Sequence, residues 1–196
     1  MKPLRRSLFK NSMAKCSTLY VACALYDTCA LHDTCALHTL QVIHNAGVLT
    51  NDSLADCAAS DIREQFNVNA LAPLMFAKAL EPHLKHGSRY GLVSSLMGSI
   101  DDNGSGGMYG YRVSKVALNM IGKGLSVDWK EKGIAVCLLH PGLVETNMTS
   151  CFSVKAGKDG CIDTATSARG IIAVLSKLNL ETSGKFYEYT GEELPW

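Results

Sequence analysis

The feature that most constrains this chain is the alternation of short apolar runs with longer amphipathic ones from residue 39 onward. TLQVI (39–43) is brief, apolar and followed by the turn residues NAG, so it reads as a buried strand. Residues 60–85 place Ile62, Phe66, Leu71, Leu74, Met75 and Leu80 at helical spacing, with Pro73 expected to bend that helix. A second strand is expected over 90–95 and a loop over the glycine-rich DDNGSGG (101–107). A helix follows over 108–131, with Gly133 just past its end. IAVCLLH (134–140) is a third strand, stopped by Pro141-Gly142, before a helix over 163–179 and a last strand over 185–189. Strands that alternate with helices predict a parallel, doubly wound α/β sheet.

Composition narrows the function classes. A chain of 196 residues, 47% hydrophobic and 19% charged, has enough apolar material for one globular domain. Its net charge of +1 comes without a long basic run, so no nucleic-acid surface is expected. No apolar run approaches the roughly 18 residues needed to span a bilayer, so no membrane partner is expected. The eight cysteines sit in a chain too long and core-rich for a small disulfide-stapled scaffold, and Cys137 lies inside the apolar run IAVCLL. Reduced thiols in the cytoplasm are the expected setting.

Tyr111 and Lys115 stand four residues apart in YGYRVSK, one helical turn, so both leave the same helix face. An ammonium beside a phenol favours the phenolate and is expected to draw the tyrosine pKa down from about 10. With a serine hydroxyl to hold a carbonyl oxygen, such a pair forms a proton-transfer site for interconverting a carbonyl and an alcohol. A YxxxK pair alone is commonplace; here it stands in an ordered series. The chain reads NAG at 45–47, NVNAL at 67–71, GLVSSLMGS at 91–99, YGYRVSKVALNM at 109–120 and HPGLVETNM at 140–148.

This series resembles the short-chain dehydrogenase/reductase family over residues 41–196. The ending GKFYEYTGEELPW resembles its C-factor branch. The resemblance implies a Rossmann-like doubly wound parallel sheet and NAD(P)-dependent chemistry on a small carbonyl or alcohol substrate. Tyr111 would be the general acid in reduction and the base in oxidation; Tyr109 does not stand four residues before the lysine. Lys115 would lower the tyrosine pKa and bind the nicotinamide ribose. Ser95, with Ser94 as runner-up, would orient the substrate carbonyl, and Asn69 would anchor a water linking Lys115 to solvent. Asn45, Ala46 and Gly47 would border the cofactor, and Pro141, Gly142, Val144 and Thr146 would meet its nicotinamide and phosphates. His44 stands where the family usually has asparagine, and no catalytic role attaches to it. The resemblance also implies a homodimer through the helices at 60–85 and 108–131.

The family's opening strand, TGxxxGxG turn and helix do not occur in this sequence. That turn receives the dinucleotide pyrophosphate on a helix N-terminus. The expectation is therefore a Rossmann-like domain over 39–196 truncated at its N-terminal half, with weak binding of NADP or NAD. The alternative is an impaired remnant or a dimerising, non-enzymatic protein. Without its neighbour the strand at 39–43 would be a sheet edge, unless STLYVACAL (17–25) fills one vacant position. Residues 1–38 form an atypical segment, basic over 1–15, with a near-perfect hexapeptide repeat over 23–38. That repeat is expected to be loosely docked. Its Cys29, His32, Cys35 and His38 are uniformly three apart, a spacing that does not close easily around one zinc ion, so no metal is expected.

Overall fold

The computed structural model describes residues 39–196 apart from residue 153, and the backbone of residues 23–27; the side chain of residue 151 is also outside the description. The repeat residues 28–38, with Cys29, His32, Cys35 and His38, lie outside the described residues. Five strands form one sheet in sequential order: β1 (Cys23–Asp27), β2 (Leu40–His44), β3 (Arg89–Val93), β4 (Ala135–His140) and β5 (Lys185–Glu188). β2 to β5 are parallel, as the alternating pattern predicts. β1 is antiparallel to β2, with Cys23 opposite His44 and Asp27 opposite Leu40.

β2 is thus not an edge. An antiparallel strand from within residues 1–38 supplies its backbone partners, and its bounds overlap only the end of the 17–25 segment. Direction matters more than coverage. A parallel neighbour would end at the carboxyl edge of the sheet and turn there into a helix. β1 instead begins at that edge, because Cys23 pairs with His44 at the end of β2.

The helices are α1 (Ala59–Phe66), α2 (Ala72–Leu80), α3 (Tyr109–Asp128) and α4 (Thr164–Lys177). α1 and α2 are one run interrupted by a π turn at Asn67–Leu71, where the Ala72 N–H bonds back to the Asn67 carbonyl. The irregularity expected at Pro73 therefore lies just ahead of it. Pro73 has no N–H for the Asn69 carbonyl four residues back, and its ring would crowd that carbonyl; the wider turn relieves both.

Alternation along the strands divides the core. Val42, Tyr90, Leu92, Val136, Leu138 and Phe186 pack with Ala77 of α2 and Leu118, Leu125 and Trp129 of α3. Their neighbours Ile43, Val93, Ala135, Cys137 and Leu139 pack on the other face with Ile171 and Leu175 of α4. β4 reads AVCLLH and is buried on both faces except at His140, as a central strand between helix layers must be.

Candidate active site

The site lies at the carboxyl ends of β2, β3 and β4, where open α/β sheets bind ligands. α3 carries Tyr111 and Lys115 across this edge. Its N-terminus is held from a distance: the Asp52 carboxylate accepts the backbone N–H groups of Tyr109 (2.6 Å) and Gly110 (3.1 Å). The Asp52 carbonyl accepts the Met108 N–H, while Met108 takes the left-handed conformation at φ 50°. A carboxylate at a helix start satisfies orphan donors and complements the helix dipole.

Tyr111 and Lys115 are both buried. The Lys115 ammonium donates to the Val93 carbonyl at the end of β3 (3.0 Å) and lies 5.6 Å from the centre of the Tyr111 ring. Ser95 is also buried, and its hydroxyl favours ionisation of the Tyr111 phenol. The Ser95 hydroxyl also accepts the Met97 N–H (3.2 Å), capping the short turn Leu96–Gly98. Gly98 lets this turn lie against α3, since a Cβ there would come within 2.9 Å of the Lys115 backbone. Ser94 is engaged elsewhere: its hydroxyl donates to Asn119 Oδ1 (2.6 Å). Tyr109 is partly exposed on the opposite side of the turn from Tyr111.

Asn69, in the π turn, is fully buried. Its Oδ1 accepts the Val48 N–H and its Nδ2 donates to the Val48 carbonyl, each at 2.8 Å. Nδ2 also donates to Ser114 Oγ (2.9 Å), which in turn donates to the Tyr111 carbonyl (2.7 Å). The Asn69 side chain therefore clamps the exit of β2 onto α3. A water relay at Asn69 would fall to its backbone carbonyl, which Pro73 deprives of an ordinary helical donor.

Gly47 brings the turn after β2 into the same place. A Cβ on Gly47 would lie 3.3 Å from Asn69 Oδ1 and 3.6 Å from the Lys115 ammonium. Asn45 is exposed and Ala46 half-buried beside it. Across the edge, Pro141 accepts a hydrogen bond from Ser167 Oγ (2.6 Å), and Gly142 turns at φ 83° against Tyr189 and Ile162. Val144 is buried and bridges to Ile162, and exposed Thr146 is braced by Thr149. The structure thus gathers Asn69, Ser95, Tyr111 and Lys115 around the Gly47 turn, with the Pro141–Thr146 turn at the end of the next strand but one.

The electrostatics differ from the sequence expectation. Burial pushes the Tyr111 phenol up to about 12, opposed in part by the Ser95 hydroxyl, instead of Lys115 drawing it down. Burial lowers Lys115 to about 8. Both charged forms lose water, and at this separation that loss outweighs their mutual attraction. At neutral pH the tyrosine therefore holds its proton and can donate it. His44 is lowered to about 4 by burial and by the charge on Lys115; its ring lies 5.7 Å from Phe76 and its buried Nε2 has no hydrogen-bond partner among the described residues.

Sequence reasoning missed Asp52 and Ser114. Ser114 lies one residue before Lys115 in YRVSK and was readable as a buried polar position on α3. Asp52 acts 57 residues from the amide it caps and left no local signal.

Gly47 lies close to the Lys115 ammonium, and Gly142 turns at the end of β4 on the same edge of the sheet. The pyrophosphate end of a dinucleotide finds no counterpart among the described residues. The first glycine of the chain is Gly47, and the strand beside β2 runs the wrong way to end in a phosphate-binding turn.

A parallel, Rossmann-like sheet with Asn69, Ser95, Tyr111 and Lys115 at its carboxyl edge narrows the class, and comparison assigns the family. The family model for short chain dehydrogenases matches residues 30–156, and the chain belongs to that family. It is 41% identical over 150 residues to the 1-hydroxy-2-glutathionyl-2-methyl-3-butene dehydrogenase of Rhodococcus sp. (strain AD45), across 76% of this chain and 65% of that protein. It is 40% identical over 146 residues to C-signal of Myxococcus xanthus, across 74% of this chain and 84% of that protein. Among solved structures, the carbonyl reductase Sniffer of D. melanogaster aligns with TM-score 0.71 and 32% identity, over 80% of this chain and 66% of that one. An NADPH-bound carbonyl reductase from chicken fatty liver aligns with TM-score 0.71 and 30% identity, over 79% and 64%. The chain thus spans about two thirds of the length of several relatives it matches.

Proposed function

We propose that this domain interconverts a small carbonyl compound and its alcohol with a nicotinamide cofactor, NADP or NAD, which it binds weakly. The observation that carries this reading is the buried pair Tyr111 and Lys115, with the ammonium 5.6 Å from the ring centre and close to the Gly47 turn, and with Ser95 buried at the end of the neighbouring strand. A cofactor held by Lys115, Gly47, Asn45, Ala46, Pro141, Gly142, Val144 and Thr146 would supply or take up the hydride. Ser95 orients the substrate oxygen. Tyr111, protonated at neutral pH, donates its proton to that oxygen in reduction and accepts it in oxidation. Lys115, protonated below about 8, places positive charge beside the phenolate that remains. Asn69 fixes the Gly47 turn against α3 and bounds the route by which a proton returns.

A second reading, an impaired or non-enzymatic dimerising protein, is favoured by one observation: antiparallel β1 occupies the place where a pyrophosphate-binding strand would lie. Both readings include a homodimer. Val113, Met120 and Val127 expose one face of α3, and Phe66, Leu71 and Met75 are exposed on the α1–α2 run. A groove of about 550 Å³ along α3 is lined by Tyr109, Val113, Val116, Ala117 and Met120. A cytoplasmic setting belongs to the same proposal: Cys57, Cys137 and Cys161 are free thiols. No helix among the described residues is long and apolar enough to cross a membrane, and none of those residues form a cluster fit for a metal ion.

Carbonyl reduction by the purified chain at saturating NADPH or NADH, with Tyr111→Phe as the control, separates the two readings. Turnover lost in the variant supports the reductase. Turnover equal in both removes Tyr111 from its role, and none in either favours the non-enzymatic reading.

A further inference from the structure

His140 ends β4, immediately before the Pro141-Gly142 turn. Its environment is explained by following the β3–β4 ladder past its last regular pair, Val93 opposite Leu139. The next rung forms normally, with the Ser94 N–H donating to the Leu139 carbonyl at 2.8 Å. In a parallel ladder the rung after it would run from the Leu96 N–H to the carbonyl of residue 141. Pro141 turns away, however, and its carbonyl accepts the Ser167 hydroxyl instead. The Leu96 N–H is taken by the His140 side chain, at Nδ1, 3.2 Å away. On its other side the His140 backbone carbonyl accepts the Tyr189 N–H at 2.9 Å, continuing the pairing to β5. The imidazole therefore replaces a missing backbone acceptor where the chain leaves the sheet.

The residue held in this way directly follows Ser95. Leu96 opens the short turn that Ser95 caps, and that turn lies against the backbone of Lys115 through Gly98. We propose that His140 is a positioning residue for the site: its neutral Nδ1 fixes the Leu96 amide and so holds the Ser95 hydroxyl against Tyr111. This inference rests on the assignment of Ser95 as the group that orients the substrate oxygen.

The chemistry of the ring makes the device sensitive to protonation. A nitrogen that accepts Leu96 N–H must be unprotonated, so the proton of the neutral ring sits on Nε2. An imidazolium would turn N–H against N–H and release the turn. The charged groups facing the ring are Asp102, from the loop beyond the Ser95 turn, and Glu188, from β5; both favour the imidazolium. Burial opposes them and prevails, holding His140 below its usual range. The contact is therefore intact at neutral pH and is lost as pH falls through that lowered value.

The test uses the 196-residue chain, His140→Asn and His140→Leu, with two readouts: the Leu96 amide by NMR, and carbonyl reduction at saturating cofactor. Asparagine can present Oδ1 where Nδ1 stood, but it does not titrate. The Leu96 amide should be protected from exchange in the wild type and in His140→Asn, and unprotected in His140→Leu. Its shift should titrate with acid in the wild type and not in His140→Asn. In turnover, His140→Leu should lower kcat by roughly ten- to a hundredfold with little change in cofactor KM. His140→Asn should restore kcat and lack the acid limb of the wild-type profile. Unchanged Leu96 protection in His140→Leu, or an acid shift of Leu96 that persists in His140→Asn, overturns the proposal. Should the leucine variant fail to fold, the asparagine titration decides it. If the wild type shows no turnover, the reductase reading fails while the Leu96 measurements still decide the role of His140.

Discussion

Replacing Gly98 by alanine tests how tightly the Ser95 turn is packed against α3, as the proposed chemistry requires. A Cβ at Gly98 would lie 2.9 Å from both the carbonyl carbon and Cβ of Lys115, and 3.1 Å from its carbonyl oxygen. Two of these three atoms are backbone inside a helix, so no rotamer change relieves the overlap. Either the turn or α3 must move by several tenths of an ångström. Overpacking of this kind costs about 1–3 kcal/mol, which for a domain of this size lowers Tm by roughly 2–4 °C per kcal/mol. Because the displaced residue is Lys115 and the moving turn carries Ser95, turnover should fall further than stability does. Gly124, near the end of the same helix, has nothing within 4 Å of the corresponding position. Gly124→Ala should therefore raise stability by about 0.4–1 kcal/mol through the lower entropy of the unfolded chain. Calorimetric Tm values of the two variants and the parent make the comparison. A Gly98→Ala protein as stable as the parent, or one no less stable than Gly124→Ala, would refute the packing argument.

Other outcomes follow from the same geometry. Ser114→Ala leaves Asn69 Nδ2 with the Val48 carbonyl alone and should cost about 1–3 kcal/mol, read by urea denaturation. His44 has a folded-state pKa of about 4 against 6.5 when unfolded, so the unfolded chain binds its proton first as acid is added. Stability should fall as pH drops from about 6.5 to about 4, by roughly 3 kcal/mol from this group, and His44→Leu should flatten that part of the profile. Met120→Glu places a charge on the exposed face of α3 and should shift a homodimer to monomer in light scattering at micromolar concentration; an unchanged dimer removes that face from the interface.

What could be read from the sequence was what repeats regularly. β3, α3, β4, α4 and β5 fall within a few residues of their expected bounds because each has a clean apolar period closed by Gly, Pro or a polar turn. The short spacings also held: Tyr111 and Lys115 share a helix face, and the Ser95 turn meets them. What could not be read depends on distance in the chain or on burial. The π turn at 67–71 breaks the helical period by one residue. The antiparallel direction of β1 leaves no mark in CALYD, since strand composition does not encode direction. The upward shift of Tyr111 depends on how completely the folded chain excludes water from the phenol, and a YxxxK spacing carries no measure of that.

On the proposed reading, the site keeps the nicotinamide end of a dinucleotide cradle, and the described residues lack the pyrophosphate end. Several charge-assisted hydrogen bonds to the phosphates, each worth about 1.5–3 kcal/mol, are then missing, which weakens binding by several powers of ten. Titration calorimetry of the 196-residue chain with NADPH and with NADH measures this directly. The account predicts a Kd in the millimolar range or weaker for both. Micromolar binding of either would mean that the pyrophosphate has a site outside the described residues, and would contradict the account.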